Sequence, residues 1–165
     1  MIAAGLFRGE HIELIRGVIV EMSPQNARHA DVIQALTRLL LPPLLRRADI
    51  RVQLPFAAGS HSLPEPDLAL VKPGRYQAGH PDEAFLLIEV SDASLKLDRQ
   101  DKAELYATAG VPEYWIVNLV DRAIEQHSEP SNGAYTRVIP FRSGETIRPL
   151  AFGDLSLNID EIFGG

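Results

Sequence analysis

The sequence predicts an α/β (α+β) fold with a mixed central sheet flanked by helices and an N-terminal β-hairpin. Three observations predict it. Two segments of helical periodicity lie among short strand-like runs, the first runs form a hairpin pattern, and residues 86–115 follow the order strand, helix, strand. If both strands of that unit pair in one sheet, the crossover is parallel and right-handed. The 165 residues contain no repeat and no long linker, so we expect one domain over residues 1–165.

The first elements are a hairpin and a helix. HIELIRGVIVEMSP, residues 11–24, contains two short strand-like runs around an Arg-Gly turn signal. Asn26 is a plausible N-cap for the helix that follows. Pro42 and Pro43 are expected to end or kink this helix, because proline lacks the N–H that an internal helix position donates. The apolar side chains of the helix recur at helical spacing: Ile33, Leu36 and Leu40.

Three strand-like segments come next. Residues 50–57, IRVQLPFA, alternate between apolar and polar side chains. Residues 66–71, PDLALV, and residues 84–91, AFLLIEVS, are nearly continuous apolar runs, as buried strands are. A loop rich in glycine, proline and polar residues separates the last two, which indicates an antiparallel pair.

The second half of the chain adds a helix and further strands. Residues 94–110 have a helical pattern that ends at a glycine, and residues 111–118, VPEYWIVN, are typical of a buried strand. Residues 122–128 and 134–141 predict another hairpin. Residues 155–163 predict a short strand and a helical turn.

Composition and charge restrict the classes of function. The chain has no cysteine, which excludes disulfides, thiolate nucleophiles and cysteine-bound zinc. The net charge of −6 argues against a protein that coats nucleic acid nonspecifically, and it suits a site that holds a divalent cation. The start carries no signal-peptide pattern, and no apolar run approaches the ~20 residues that span a bilayer. We therefore expect a cytoplasmic protein without a membrane partner.

Two carboxylates interrupt the apolar runs, Asp67 in one and Glu89 in the other. A hairpin register that is symmetric about Ala78 pairs Val71 with Phe85 and Asp67 with Glu89. Directly opposite residues share a face of the sheet, with Cβ atoms about 4.5–5.5 Å apart. Two carboxylates this close repel each other unless a cation lies between them, and Mg²⁺ (or Mn²⁺) prefers such oxygen ligands.

A basic group completes the pattern. Lys102 lies four residues after Asp98, on the same face of the second predicted helix. Because that helix begins near the carboxyl end of the strand that carries Glu89, Lys102 could reach the two carboxylates. Two acids and a lysine around one metal suggest phosphodiester hydrolysis, in which the metal polarises the phosphate and lowers the pKa of a bound water.

At these residues the sequence resembles a known family. The runs PEPDLALV, LLIEVSDAS, DRQDKAELYATAG and VPEYWIVN resemble the Uma family of restriction-endonuclease-like proteins, within the PD-(D/E)XK nuclease superfamily. The early run ELIRGVIVEMSP and the helix that contains His29 also fit, so that the resemblance extends from about Glu13 to His127. It implies a restriction-endonuclease-like fold and a Mg²⁺-dependent nuclease that acts on DNA.

The resemblance also implies which residues form the site. Asp67 and Glu89 would be metal ligands, together with the backbone carbonyl of Val90. The superfamily pattern has a lysine two residues after the glutamate, where this chain has Ser91. In the Uma family a lysine on the following helix takes over this role, and Lys102 matches that position.

Each residue also has a plainer interpretation. Asp67 follows a proline and could be a turn residue at the start of a strand, and Lys102 could be a solvated helix residue paired with Asp98. His29 could pack on the sheet; we place it in the catalytic set because the first helix of this fold often leans over the metal. Glu13 and Glu21 are expected to be surface residues of the hairpin, with Glu21 as an alternative outer carboxylate.

Three functions remain open. The first is a DNA endonuclease, which would gain from being a homodimer through the apolar face of residues 134–141. The second is a catalytically inactive nucleic-acid- or protein-binding module of the same fold. The third is a metal-dependent hydrolase of a small phosphorylated compound. The basic residues that could contact phosphate beside the carboxylates are Lys72, Arg75, Lys96 and Arg99.

Overall fold

In a computed structural model, which describes residues 11–22 and 24–165, the centre of the molecule is a six-stranded mixed sheet. The strands are β1 (Ile12–Ile15), β2 (Val18–Glu21), β3 (Asp49–Val52), β4 (Leu68–Val71), β5 (Leu86–Ser91), β6 (Glu113–Asn118), β7 (Ala123–Ser131), β8 (Ala134–Phe141), β9 (Thr146–Ile147) and β10 (Leu157–Asn158). The helices are α1 (Ala27–Leu44), α2 (Leu95–Leu97), a π turn (Asp98–Lys102), α3 (Ala103–Thr108), a 3₁₀ turn (Leu150–Phe152) and α4 (Ile159–Phe163).

The strand order of the main sheet is β3-β4-β5-β6-β7-β8. All neighbours are antiparallel except β5 and β6, which are parallel and joined by the helical segment between them. β1 and β2 form a separate hairpin near the start of the described chain. The predicted mixed sheet, its flanking helices and the N-terminal hairpin are therefore confirmed.

The register of β4 and β5 is the predicted one. Leu68 faces Ile88, and Leu70 faces Leu86, so that the residue numbers of each pair sum to 156, as for a hairpin centred on Ala78. Continuing the ladder by one residue places Asp67 opposite Glu89. This register is symmetric about the loop that joins the two strands, as the sequence predicted.

The sheet has an apolar core on each face. The first core lies under α1 and α4, and it contains Leu68, Ile88 and Trp115 of the sheet. The second core lies under α3 and the N-terminal hairpin, and it contains Ala69 and Leu87. Because side chains alternate along a strand, Asp67 and Glu89 belong to the second face, beneath the helical segment that follows β5.

One expectation about the elements is confirmed and two need correction. As expected from Pro42 and Pro43, α1 ends at Leu44, one residue after the second proline. Leu40 and Leu44 are fully buried, and their burial holds the last turn despite the two missing proline donors. The strand predicted for residues 50–57 ends at Val52.

The second correction concerns the helix predicted for residues 94–110. It is divided into α2, the π turn and α3, and it ends at Thr108. Within the described residues, no helix is long and apolar enough to cross a membrane.

Candidate active site

A cavity of about 310 Å³ lies where β4 and β5 meet the hairpin, the start of α1 and the π turn. The structure places every residue predicted for the site on its wall: His29, Asp67, Glu89, Val90 and Lys102. Neither Asp67 nor Glu89 is a surface turn residue, since they are 7% and 4% exposed. The plainer interpretation of Lys102 is also wrong, because this side chain is 1% exposed and not solvated.

Asp67 is held by three donors. Its Oδ2 accepts a hydrogen bond from the backbone N–H of Val90 at 2.8 Å, which ties the end of β4 to β5. Its Oδ1 lies 3.1 Å from His29 Nε2 and accepts a bond from Gln53 Nε2 at 3.2 Å. Gln53 reaches this position because it leaves β3 with a positive φ of 51° and so turns its side chain towards the site.

Glu89 makes its contacts through one carboxylate oxygen. Its Oε1 accepts hydrogen bonds from Lys102 Nζ at 3.0 Å and from the Tyr106 hydroxyl at 2.7 Å. Burial raises the pKa of Glu89 well above its usual range; the Lys102 ammonium opposes this rise and the Asp67 carboxylate adds to it. Among the described residues, none donates a hydrogen bond to Oε2, so this oxygen is the one available to a cation.

Lys102 lies among three carboxylates. Its Nζ is 3.0 Å from Glu89 Oε1, 3.1 Å from Glu13 Oε2 and 3.9 Å from Asp98 Oδ1. Burial lowers the pKa of the ammonium, but the attraction of Glu89, Glu13 and Asp98 outweighs it and raises the pKa above its usual value. These three carboxylates therefore favour the ammonium form of Lys102 on the wall of the cavity.

The π turn explains how one helical segment presents several groups to the same strand. The Ala103 N–H donates to the Asp98 carbonyl, five residues back. In a regular α-helix of 3.6 residues per turn, a residue eight positions on would lie about 80° around the axis. The wider π turn removes much of this offset, and so Asp98, Lys102 and Tyr106 can face Glu89 together.

Ser91 occupies the position where the superfamily pattern has lysine, and it has a different partner. Its hydroxyl donates to Asp98 Oδ2 at 2.5 Å, and the hydroxyl of Ser94 donates to the same oxygen at 2.7 Å. Asp98 is thereby held at the start of the π turn, close to Lys102. Ser91 thus helps to fix the helical segment that carries Lys102.

The expectation that Glu13 is a surface residue is wrong. Glu13 is 2% exposed and its Oε1 accepts hydrogen bonds from Lys102 Nζ at 3.2 Å and from the Glu65 N–H at 2.7 Å. Its carboxylate is buried because β1 turns the face of Glu13 and Ile15 inwards. Glu21 is exposed, as expected for the hairpin surface, and it does not line the cavity.

The site also contains residues that were not predicted for it: Glu13, Gln53, Asp98 and Tyr106. Glu13 shares one face of a short strand with Ile15, but the hairpin pattern does not say which face another element covers. A signal existed for Tyr106, which lies four residues after Lys102. No sequence signal marks Gln53, since its position depends on the turn at the end of β3.

The oxygen atoms of the cavity suit a hard divalent cation. Asp67, Glu89 and the backbone of Val90 offer the oxygen-only set that Mg²⁺ and Mn²⁺ prefer. Within residues 11–22 and 24–165, no group of three or more His, Asp or Glu side chains is arranged to hold a metal. A cation held by these residues would therefore rely on two carboxylates, a backbone carbonyl and water.

The four basic residues that were candidates for phosphate contact do not line this cavity. Lys72 Nζ is 2.8 Å from Glu83 Oε2, and Arg99 pairs with Glu125. Lys102 is the one Lys or Arg on the wall of the cavity among the described residues.

The comparisons with known proteins agree with this fold. One similar solved structure is described as the crystal structure of a putative nuclease belonging to DUF820 from Anabaena variabilis ATCC 29413. The two chains are 16% identical, with a TM-score of 0.71 over 92% of this chain and 89% of the other, which shows a shared fold. No curated protein matches the sequence. The profile of the Uma2 family, described as "Putative restriction endonuclease", matches residues 4–160, and the chain therefore belongs to this family.

Proposed function

We propose that this protein is an endonuclease that hydrolyses DNA phosphodiester bonds with Mg²⁺ or Mn²⁺. The observation that carries the proposal is the position of Asp67 and Glu89 on one face of the sheet, both on the wall of the cavity that also contains Lys102. The family and the fold support a nuclease. The choice of DNA rests on the family, and the choice of metal rests on the oxygen ligands that Asp67 and Glu89 offer.

Asp67, Glu89 and the carbonyl of Val90 would hold the cation. A cation bound there would polarise the phosphate and lower the pKa of a bound water. Asp67 is prepared for this role because the Val90 N–H and the Gln53 amide fix its carboxylate in the cavity. Lys102 and Tyr106 both donate hydrogen bonds to Oε1 of Glu89. No described residue donates a hydrogen bond to Oε2, which could therefore bind the cation.

Lys102 and His29 have distinct roles in this proposal. The Lys102 ammonium orients the attacking water and stabilises the negative charge that develops on the phosphate. His29 Nε2, 3.1 Å from Asp67 Oδ1, orients this carboxylate at the edge of the cavity near the N-terminus of α1. In the tautomer that carries the proton on Nε2, the imidazole donates to Asp67 and leaves the carboxylate charged.

We propose that the active species is a homodimer, in which two sites related by a two-fold axis act on the two strands of a duplex. The edge of the six-stranded sheet at β8 is the proposed contact, because its backbone groups have no neighbouring strand in the sheet.

Cleavage of supercoiled plasmid tests the function. The wild-type protein is expected to nick or linearise the plasmid with Mg²⁺ or Mn²⁺ and to lose this activity with EDTA. Asp67→Asn and Glu89→Gln should each abolish cleavage while the far-UV circular dichroism stays unchanged. Glu83→Gln is the matched control, because it removes an exposed carboxylate far from the cavity wall.

Full cleavage by the Glu89→Gln protein would rule out this site. Saturable binding of DNA without cleavage, and without heat on titration of Mg²⁺ or Mn²⁺, would favour the inactive binding module instead. Hydrolysis of a small phosphodiester without any action on plasmid would favour the third function. One protein preparation, tested on plasmid DNA and on a small phosphodiester, therefore distinguishes the three functions.

A further inference from the structure

Glu13 connects the N-terminal hairpin to the Lys102 ammonium group of the site. It is the buried acid of β1, and its Oε1 accepts a hydrogen bond from Lys102 Nζ at 3.2 Å. Its Oε2 is 3.1 Å from the same nitrogen, with no hydrogen bond of its own in the described chain. Both oxygens of one carboxylate therefore face one ammonium group, which is an arrangement that limits where the lysine can lie.

The contact with Glu13 limits the directions in which the Lys102 ammonium group can donate its hydrogen bonds. Lysine has three N–H donors that rotate about the terminal bond, so a single partner leaves their directions open. Two hydrogen bonds, to Glu13 Oε1 and Glu89 Oε1, restrict that rotation. Asp98 Oδ1, at 3.9 Å, is too far to accept the third N–H, and Glu13 Oε2, although 3.1 Å from Nζ, accepts no hydrogen bond from it. This third donor is available to a water in the cavity.

The carboxylate of Glu13 also fixes the segment that leads to Asp67. Its Oε1 accepts the backbone N–H of Glu65 at 2.7 Å, two residues before Asp67. The backbone of Leu14 pairs with Leu63 in the same region. The hairpin thus holds both the lysine and the approach to the first carboxylate through one side chain.

We propose that Glu13 is a positioning residue, whose carboxylate holds the Lys102 ammonium with one N–H directed to the reacting water. The inference rests on the proposed function, since it assigns a residue to the same site. Glu13 acts through Lys102 and not through the metal. Its removal should therefore reduce the rate of the chemical step while the affinities for metal and for DNA stay the same.

The test compares three variants. Glu13→Gln keeps the size of the side chain and removes its charge, and Glu13→Asp keeps the charge but withdraws the carboxylate by one methylene. Glu113→Gln is the matched control, because Glu113 is a buried acid that accepts bonds from Trp115, Gln126 and the Leu150 N–H and does not line the cavity. All three are checked by urea unfolding.

Two readouts are needed. The first is the ¹H–¹⁵N signal of the Lys102 ammonium, which survives exchange with water only when the group is buried and hydrogen-bonded. The second is the single-turnover rate of plasmid cleavage, measured together with the Mn²⁺ and DNA dissociation constants. In Glu13→Gln we expect the signal to be lost and the rate to fall about 10–100-fold, as for other outer partners of a site. Glu13→Asp should recover part of the rate.

An unchanged lysine signal, or a lost signal with an unchanged rate, would overturn the role of Glu13. A rate loss of equal size in Glu113→Gln would overturn it as well, because a general loss of stability would then explain the effect. If the wild-type protein does not cleave, the proposed function fails, and the lysine signal alone decides whether Glu13 holds the ammonium. If Glu13→Gln does not fold, the same two readouts on Glu13→Asp decide.

Discussion

At the scale of single residues, the site is defined by a buried cation among buried acids. Lys102 is 1% exposed, and the carboxylates of Glu13 and Glu89 are its hydrogen-bond partners. Charges of this kind are retained only when they are paired, since an isolated buried ion is very costly. The lysine therefore has two functions, because it offsets the repulsion between the acids and it carries positive charge to the cavity.

Removal of the Lys102 charge should reduce stability strongly. Lys102→Met keeps most of the apolar volume but leaves Glu13 and Glu89 without their partner, and breaking a buried pair in this way costs about 3–5 kcal/mol. Urea unfolding measures this difference. Lys72→Met is the control, because the exposed pair of Lys72 with Glu83 contributes at most about 1 kcal/mol. A loss below that of the control would show that Lys102 does not stabilise the buried acids.

At the scale of elements, the π turn places the Lys102 side chain beside Glu89. Asp98 and Lys102 are both buried within it, while Arg99 between them points outwards and pairs with Glu125 of β7. The turn is thus fixed on both sides, by the buried acids on one side and by a surface ion pair on the other. A shift of this turn would move Lys102 relative to Glu89.

The Arg99–Glu125 contact should make stability depend on pH in acid. Burial opposes the ionisation of Glu125, but the neighbouring His127 and Arg99 side chains outweigh it and lower its pKa from 4.5 to about 2. Because the folded-state pKa is below the unfolded one, the carboxylate contributes stability above about pH 4.5 and loses this contribution as the pH falls towards 2.

Urea unfolding of the wild type and of Glu125→Gln at pH 6 and pH 3 measures this contribution. The advantage of the wild type should be present at pH 6 and should shrink at pH 3. Glu83→Gln, at an exposed pair, should show little difference at either pH. An advantage of the wild type that grows in acid would contradict the sign of the effect.

The elements also show what the sequence could and could not predict. The pairing of Asp67 with Glu89 was predictable, because two apolar runs joined by one loop pair most simply in the register that is symmetric about that loop. The inward face of Glu13 was not, since a hairpin pattern alone does not say which of its faces another element covers. The continuation of α1 through Pro42 and Pro43 depends on the burial of Leu44, which is a tertiary contact.

At the scale of the whole molecule, the two faces of the sheet differ in what they carry. The face under α1 and α4 is an apolar core, whereas the face under α3 carries both an apolar core and the cavity. The cavity lies near the β3 edge of the sheet, and the opposite edge is formed by β8, in which Val138 is 49% exposed. This edge is distant in strand order from β4 and β5, so that pairing of two copies there would leave both cavities open.

Light scattering after size-exclusion chromatography tests the proposed homodimer. The wild-type protein is expected to have twice the chain mass of 18.2 kDa at micromolar concentration. Val138→Lys should yield the monomer, because a lysine on an exposed edge disfavours pairing with a second strand. A wild-type protein that is monomeric throughout would remove the dimer from the account, and a dimeric Val138→Lys protein would place the contact elsewhere.

The most direct test of the central claim is a crystal of the protein soaked in Mn²⁺ and measured for anomalous scattering. The account predicts a peak in the cavity between the carboxylates of Asp67 and Glu89, in contact with the Val90 carbonyl oxygen, and no peak in crystals of Glu89→Gln. The absence of a peak in the wild-type cavity at saturating Mn²⁺, or an equal peak in Glu89→Gln, would contradict the claim that these two acids hold a divalent cation.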